Sequence, residues 1–160
     1  MQVRDILKYK EPMLFKTSPE ALLSDAVVTM ADENIGSVVV LSKGQLAGML
    51  TFREILVVLA KRQREQRTGP TPTMSEITVA EVMNPKPTCS NPDMTVDELR
   101  QVMNDCGERY LPVVDTDQSV LGVVSFHDLA RAVLEAQKFE NQMLKAYIRD
   151  WPDDGSGQAQ

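Results

Sequence analysis

Gly48-Met49-Leu50-Thr51-Phe52-Arg53-Glu54-Ile55-Leu56 returns later in the chain as Gly122-Val123-Val124-Ser125-Phe126-His127-Asp128-Leu129-Ala130, an offset of 122 − 48 = 74. Upstream, Gly36-Ser37-Val38-Val39-Val40 aligns at the same offset with Tyr110-Leu111-Pro112-Val113-Val114. Further back the offset is 73, with Thr17-Ser18-Pro19 opposite Ser90-Asn91-Pro92 and Met30 opposite Met103, so one residue is inserted between a helix and the strand after it. Val3-Arg4-Asp5-Ile6-Leu7 likewise answers Val79-Ala80-Glu81-Val82-Met83. Self-similarity at this period means two copies of one supersecondary unit, neither of which need bury its apolar face alone. Function is therefore to be sought at a pair.

Each copy reads as strand, helix, strand, strand, helix. In the first, Pro19 opens a helix from about Ala21 to Asp32, with Leu22, Leu23, Ala26, Val27 and Met30 at helical spacing. Val38 to Leu41 is a β-branched strand, Ser42-Lys43-Gly44-Gln45 a hairpin turn, and Leu46 to Leu50 the partner strand. Thr51 starts a second helix that reaches about Arg67 and is stopped by Gly69-Pro70-Thr71-Pro72. The second copy gives a helix from Thr95 to Asp105, strands at Leu111 to Asp115 and Val120 to Val124, and a helix from Phe126. Leu134, Phe139, Met143, Leu144, Tyr147, Ile148 and Trp151 continue that last helix to about Arg149 as an apolar stripe with no counterpart in the first copy. Packing on its own fold or on a sister subunit accounts for such a stripe, and so does docking of another protein.

The 160 residues can bury roughly 70% of their unfolded surface, enough for two small units sharing a core. No apolar run approaches the ~20 residues that cross a bilayer, and Met1-Gln2-Val3-Arg4-Asp5 does not begin a signal peptide, so the expected location is cytoplasmic. Lys and Arg number 17 against 23 Asp and Glu, a net charge of −6 that argues against a nucleic-acid partner. Cys89 and Cys106 make neither a disulfide framework nor a zinc spacing, and read as small buried hydrophobes or free thiols. Lys61, Arg62, Arg64 and Arg67 collect at the end of the first long helix, where cations complement its dipole.

Thr51-Phe52-Arg53-Glu54 and Ser125-Phe126-His127-Asp128 each set a hydroxyl three residues before a carboxylate where a strand becomes a helix. One reading is a capping box, for which Thr51 with Glu54 is the better candidate because the shorter Asp128 reaches back less readily. The other is a ligand site. First-turn N–H groups favour an anion there, and a neighbouring carboxylate can accept from both ribose hydroxyls. The two readings stand even on the residues alone.

These segments together resemble the CBS domain, named for cystathionine β-synthase, present as a tandem pair or Bateman module. Val79 to Met83, Arg109 to Asp115 and Gly122 to Asp128 look like family signature segments, and the first copy matches more loosely through Asn34-Ile35-Gly36-Ser37-Val38-Val39-Val40. The resemblance covers roughly Met1 to Ala136. It implies an α/β (α+β) fold of two β-α-β-β-α repeats packed pseudo-symmetrically with a C-terminal helical extension. The division expected is repeat 1 over 1–67, a linker over 68–78, repeat 2 over 79–136, the helical extension over 137–151 and a disordered tail over 152–160.

The same resemblance implies two clefts between the copies for an adenosyl ligand: AMP, ADP, ATP, NAD or S-adenosylmethionine. In one, Asp128 would hold the ribose, Ser125 a phosphate or ribose oxygen, and the backbone at Val123 with Thr17 and Ile35 the adenine. Ile35 stands where the family often has a cation, leaving His127 or Arg131 to balance phosphate charge. In the other, Glu54, Thr51, Met49 and Thr88 would do the same work with Arg109 facing the phosphates, although Glu54 is one methylene longer than the usual Asp. At most one strong site is expected, at Asp128.

Catalysis finds no support in the residues. His127 is the only histidine and sits directly beside Asp128, and helix neighbours point about 100° apart rather than into a relay. No P-loop, Gly-x-Gly-x-x-Gly or His-Glu-x-x-His is present. The expectation is a stand-alone, non-enzymatic regulatory module: a homodimer whose four repeats form a flat disc, as the resemblance suggests, signalling adenosyl occupancy to a separate effector protein. The alternative is a dimerising scaffold with vestigial clefts.

Overall fold

A computed structural model describes residues 1–10, 14–65 and 74–150. The expected helix end at Arg67, the Gly-Pro breaker at 69–72, Trp151 and the tail at 152–160 lie outside the described residues. The chain runs α1 (Val3–Lys8), β1 (Lys16–Thr17), α2 (Leu23–Asp32), β2 (Ser37–Ser42), β3 (Gln45–Thr51), α3 (Phe52–Glu65), α4 (Val96–Cys106), β4 (Tyr110–Val114), β5 (Val120–Ser125) and α5 (Phe126–Arg149), with 3₁₀ turns at Met74–Glu76 and Val79–Glu81. This is the mixed α/β fold of two like units with a C-terminal helix that the repeat implies.

Each unit centres on a hairpin. β2 and β3 pair antiparallel, as do β4 and β5, and both hairpins carry a β-bulge at the equivalent place, between Val40 and Leu41 and between Val113 and Val114. Lys43 and Gly44, both at positive φ (53° and 78°), form the tight turn that lets β2 return as β3 with matching twist. β1 adds a parallel edge through Lys16 to Val39 and Thr17 to Val40. Here the expected order needs correcting, because the second unit's leading strand shrinks to the single parallel bridge between Ser90 and Val113. Ser90 is flanked by Pro87 and Pro92, and proline cannot donate to a ladder.

A second correction concerns how each unit starts. Helical turns, α1 and the 3₁₀ turn Val79–Glu81, precede the strands, and each docks on the other copy. Val3 N–H donates to Met94 O (2.8 Å) and Arg4 N–H to Pro92 O (3.0 Å); in the mirrored contact Val79 N–H donates to Ala21 O (2.8 Å) and Ala80 N–H to Pro19 O (2.9 Å). Val3 and Ile6 accordingly lie in the core of the second unit with Leu99, Met103, Leu111 and Val124, while Val79 lies in that of the first with Leu23, Met30, Val40 and Leu50. Burying a side chain of this size stabilises by about 1.5–3 kcal/mol, so each copy depends on the other's leading segment. The exchange also explains why α2 begins at Leu23 rather than at Ala21. Leu22 is held extended in a bridge to Thr78, and Leu23 N–H donates to Ile77 O at 2.8 Å.

α2 and α4 end alike, Asn34 (φ 53°) following the first and Gly107 (φ 69°) capping the second by donating to Met103 O at 3.0 Å. Asn34 and Gly107 keep the offset of 73, and so does the strand that follows, since Tyr110 pairs with Ser125 as Ser37 pairs with Thr51. The inserted residue therefore lies in the turn between β4 and β5, at 116–118, and the expected insertion between helix and strand is corrected. α3 buries none of its residues, and α5 buries only Asp128, Leu129 and Ala132 near its start. No described helix is long and apolar enough to cross a membrane.

Candidate functional site

Two clefts open where the copies meet, each beside the junction of a hairpin with its long helix. The first, about 330 Å³, is lined from the first copy by Leu7, Lys10, Ile35 and Ser37 and from the second by Val123 and Ser125 among others. The second, about 760 Å³, is lined by Met49, Thr51, Glu54, Asn84, Glu108 and Arg109 among others. Tyr110 is part of the wall of both. Both volumes lie within or near the range of small-molecule sites, about 300–1,000 Å³.

In the first cleft the structure brings together Val123, Ser125 and Ile35 of the sequence candidates. Thr17 and His127 are not in its wall, and His127 is exposed. Asp128 and Arg131 line a separate crevice of about 20 Å³ that shares Lys10 with the cleft. Lys10 is the residue that sequence reasoning missed. Its Nζ donates to Val123 O and to Asp128 Oδ2, both at 2.7 Å, and stands between the cleft and the carboxylate.

Asp128 also caps α5. Ser125 N–H donates to Asp128 Oδ2 at 2.9 Å and Asp128 N–H to Ser125 Oγ at 3.1 Å, a full reciprocal box. The expectation that the shorter acid caps poorly is thereby corrected, because the aspartate reaches its cap residue without strain at an ordinary hydrogen-bond length. Burial is the largest influence on Asp128 and pushes its carboxyl up. The hydrogen bond from Lys10, followed by the Ser125 N–H, together outweigh it and hold the carboxyl below its ordinary value of 3.8.

In the second cleft Met49, Thr51, Glu54 and Arg109 share one wall, and Thr88 stands apart from it. Glu54 Oε2 accepts from Thr51 N–H at 2.8 Å and from the Thr51 hydroxyl, so this acid works as a cap. Thr88 N–H donates to Glu108 Oε2 (3.0 Å), and Glu108 Oε1 accepts from Asn84 Nδ2 (3.2 Å). Glu108 therefore ties the incoming chain of the second copy to the cleft. Its counterpart at the offset of 73 is the apolar Ile35, which is why the alignment of copies gives it no signal.

Neither cysteine is a buried hydrophobe: Cys89 is exposed, Cys106 is half-buried and both are free. Among the described residues no group of His, Cys, Asp and Glu could hold a metal ion. What the clefts offer a ligand is backbone edges and hydroxyls, with one cation, Lys10, in the wall of the first and two carboxylates, Glu54 and Glu108, beside Arg53 and Arg109 in the wall of the second.

The family model for the CBS domain matches residues 3–61 and again 79–135. The CBS domain-containing protein YhcV of Bacillus subtilis is 34% identical over 113 residues, 71% of this chain and 74% of that protein. Among solved structures, the CBS domain pair of protein MJ0100, in complex with 5′-methylthioadenosine and S-adenosyl-L-methionine, superposes with a TM-score of 0.68 at 22% identity, covering 83% of this chain and 99% of that one. CBSX2 in complex with AMP gives 0.66 at 19% identity, covering 82% and 97%. At these identities the likeness shows the fold.

Proposed function

Since the chain belongs to the CBS domain family, we propose that it is a regulatory module that binds an adenosyl compound in the cleft between its two copies and passes that state to a partner protein. The observation that supports this best is the first cleft itself. A hydroxyl (Ser125), an edge carbonyl (Val123) and a carboxylate (Asp128) fall along one strand-to-helix junction, and copy one supplies the facing apolar wall through Leu7 and Ile35. A backbone carbonyl suits an exocyclic amine, a carboxylate suits ribose hydroxyls, and an apolar wall suits the face of a purine. Methylthioadenosine, S-adenosylmethionine and AMP, bound by the two fold neighbours, share that adenosyl part.

The output surface in this proposal is the exposed apolar side of α3 and α5. Leu56 is 67% exposed and Ile148 65%. A homodimer would cover such faces and hand a change in subunit angle, or in the pose of Phe139 to Ile148, to an effector. Signalling of this kind needs a ligand that prefers one arrangement, since equal affinity for both shifts nothing. A cytoplasmic setting and a role without catalysis belong to the same reading.

A specific observation favours the scaffold alternative for the second cleft: the Met49 carbonyl, counterpart of that of Val123, is held by the backbone N–H of Asn84 at 2.8 Å. A thermal-shift panel of AMP, ADP, ATP, NAD, S-adenosylmethionine and GTP tests the main reading. Ligand at about 100 times its Kd adds about 2.7 kcal/mol, which raises the Tm by several degrees. A rise confined to adenosyl compounds supports it. No rise with any of them at millimolar concentration leaves the scaffold.

A further inference from the structure

Lys10 lies on the two atoms that an adenosyl ligand of the first cleft would need. Its ammonium donates to the Val123 carbonyl and to Asp128 Oδ2, one suited to an exocyclic amine and the other to a ribose hydroxyl. Asp128 is almost wholly buried, and the Lys10 side chain is only one-third exposed. The contact joins residues 118 positions apart, across the boundary between the copies.

The second cleft has no such arrangement. Met49 is the counterpart of Val123 (49 + 74 = 123), and its backbone exchanges two hydrogen bonds with that of Asn84, at 3.0 and 2.8 Å. Lys86, which the repeat sets opposite Lys10 (10 + 76 = 86, as 3 + 76 = 79), is exposed and lines neither cleft. An ammonium inside the cleft is therefore a property of one half of the molecule. Among the described residues lining the first cleft, Lys10 is the one cation, and Ile35 adds an aliphatic side chain to the same wall.

We propose that Lys10 is the specificity-determining residue of this cleft, a latch that makes occupancy by an adenosyl compound conditional on an anionic group such as a phosphate. The inference rests on the adenosyl reading above. To seat its base and ribose, a ligand must turn the ammonium away from both acceptors, and charge-assisted hydrogen bonds are the strong ones. A neutral nucleoside offers the displaced ammonium no replacement. A phosphate does, and the flexible four-carbon stem of lysine lets the charge follow it.

The test is isothermal titration of the full chain with AMP and with adenosine, in the wild type, Lys10→Met and Lys10→Arg, with melting curves to establish folding. Lys10→Gln serves as the second neutral variant should Lys10→Met not fold. The wild type is expected to prefer AMP over adenosine by about tenfold or more, the worth of one hydrogen bond to a charged group. A neutral variant should lose about that factor of preference, in part by binding adenosine more tightly than the wild type does, and Lys10→Arg should keep it. The same preference in wild type and neutral variants, with both ligands still bound, would overturn the latch and leave the adenosyl reading intact. Binding of neither compound by any of the proteins would overturn both. AMP binding unaltered by Asp128→Asn would place the ligand in the other cleft and overturn the assignment to Lys10.

Discussion

Gly36 of the first copy and Tyr110 of the second touch in the folded chain: a β-carbon at Gly36 would run into the Tyr110 hydroxyl and ring, with Phe52 Cε2 only 3.1 Å away. The same tyrosine forms part of the wall of both clefts. Gly36→Ala should therefore push Tyr110 outward into the clefts, at about 1–3 kcal/mol for an overpacked contact. In a Tyr110→Ala background the same substitution should cost far less, a non-additivity that a double-mutant cycle in urea reads directly. Additive losses would mean that the two residues do not constrain each other.

The paired glycines Gly48 and Gly122 make a cleaner comparison, because their neighbours differ in stiffness. A β-carbon at Gly48 would stand 2.5 Å from the backbone carbonyl of Asn84, whereas at Gly122 it would meet the Leu7 Cδ2 methyl at 3.1 Å. A side chain can yield by a few tenths of an ångström; a carbonyl held in a two-bond bridge to Met49 yields less. Gly48→Ala should lose about 2 kcal/mol or more and Gly122→Ala under about 1 kcal/mol. Equal losses in denaturant melts would contradict this ordering.

Much of this was legible beforehand, and what was not has a physical pattern. Helical and alternating periodicities reveal that a segment has an apolar face, so the hairpins and long helices could be placed from Val38 to Leu41 or Leu99 and Met103. They do not reveal which partner covers that face. The docking of Val3 and Ile6 onto the second copy is invisible to them, although the match between Val3 to Leu7 and Val79 to Met83 was in plain view. The cleft candidates on repeat motifs, Val123, Ser125, Thr51 and Glu54, were reachable because they recur. Lys10 and Glu108 were not, since one acts 118 residues from its partner and the other stands opposite an apolar residue, Ile35, at the offset of 73.

Asp128 predicts a pH dependence whose sign follows from its environment. Its carboxyl is held below 3.8 by Lys10 and Ser125 despite the opposing effect of burial. A depressed folded-state value contributes stability that is present above the ordinary value and lost as pH falls through the folded one. Asp128→Asn should accordingly be less stable than the wild type by about 1–3 kcal/mol near neutrality, the range for a hydrogen bond to a charged group. The gap should hold down to about pH 4 and close below it. A gap that persisted unchanged in strong acid would show that shape, not charge, is responsible.

The exposed apolar faces of α3 and α5 predict self-association. A stable interface buries about 800 Å² per partner, and Leu56, Val57, Leu144 and Ile148, each more than half exposed, are the kind of surface that meets this need. Light scattering after size exclusion should give twice the chain mass of 17.8 kDa. Leu56→Glu with Ile148→Glu should give a monomer of unchanged helical content. A wild type that is monomeric at every concentration would leave these faces to another protein.

The two acids at the strand-to-helix junctions differ by one methylene, and the structure gives that difference a consequence. Asp128 caps its helix through Ser125 at 2.9 Å, so a four-carbon acid is long enough for the box. Glu54 performs the same cap on Thr51 at 2.8 Å with a longer chain, which must fold into the cleft to do so. Glu54→Asp should therefore keep the cap, with Tm nearly unchanged, while removing a methylene from the wall beside Arg109. If the extra length is what closes the second cleft to ribose, calorimetric stoichiometry should rise from one adenosyl ligand per chain toward two. Two sites already in the wild type would show that nothing closes the second cleft, and one site in both proteins at equal stability would show that Glu54 is not the barrier and leave that role to Glu108, the second carboxylate in that wall.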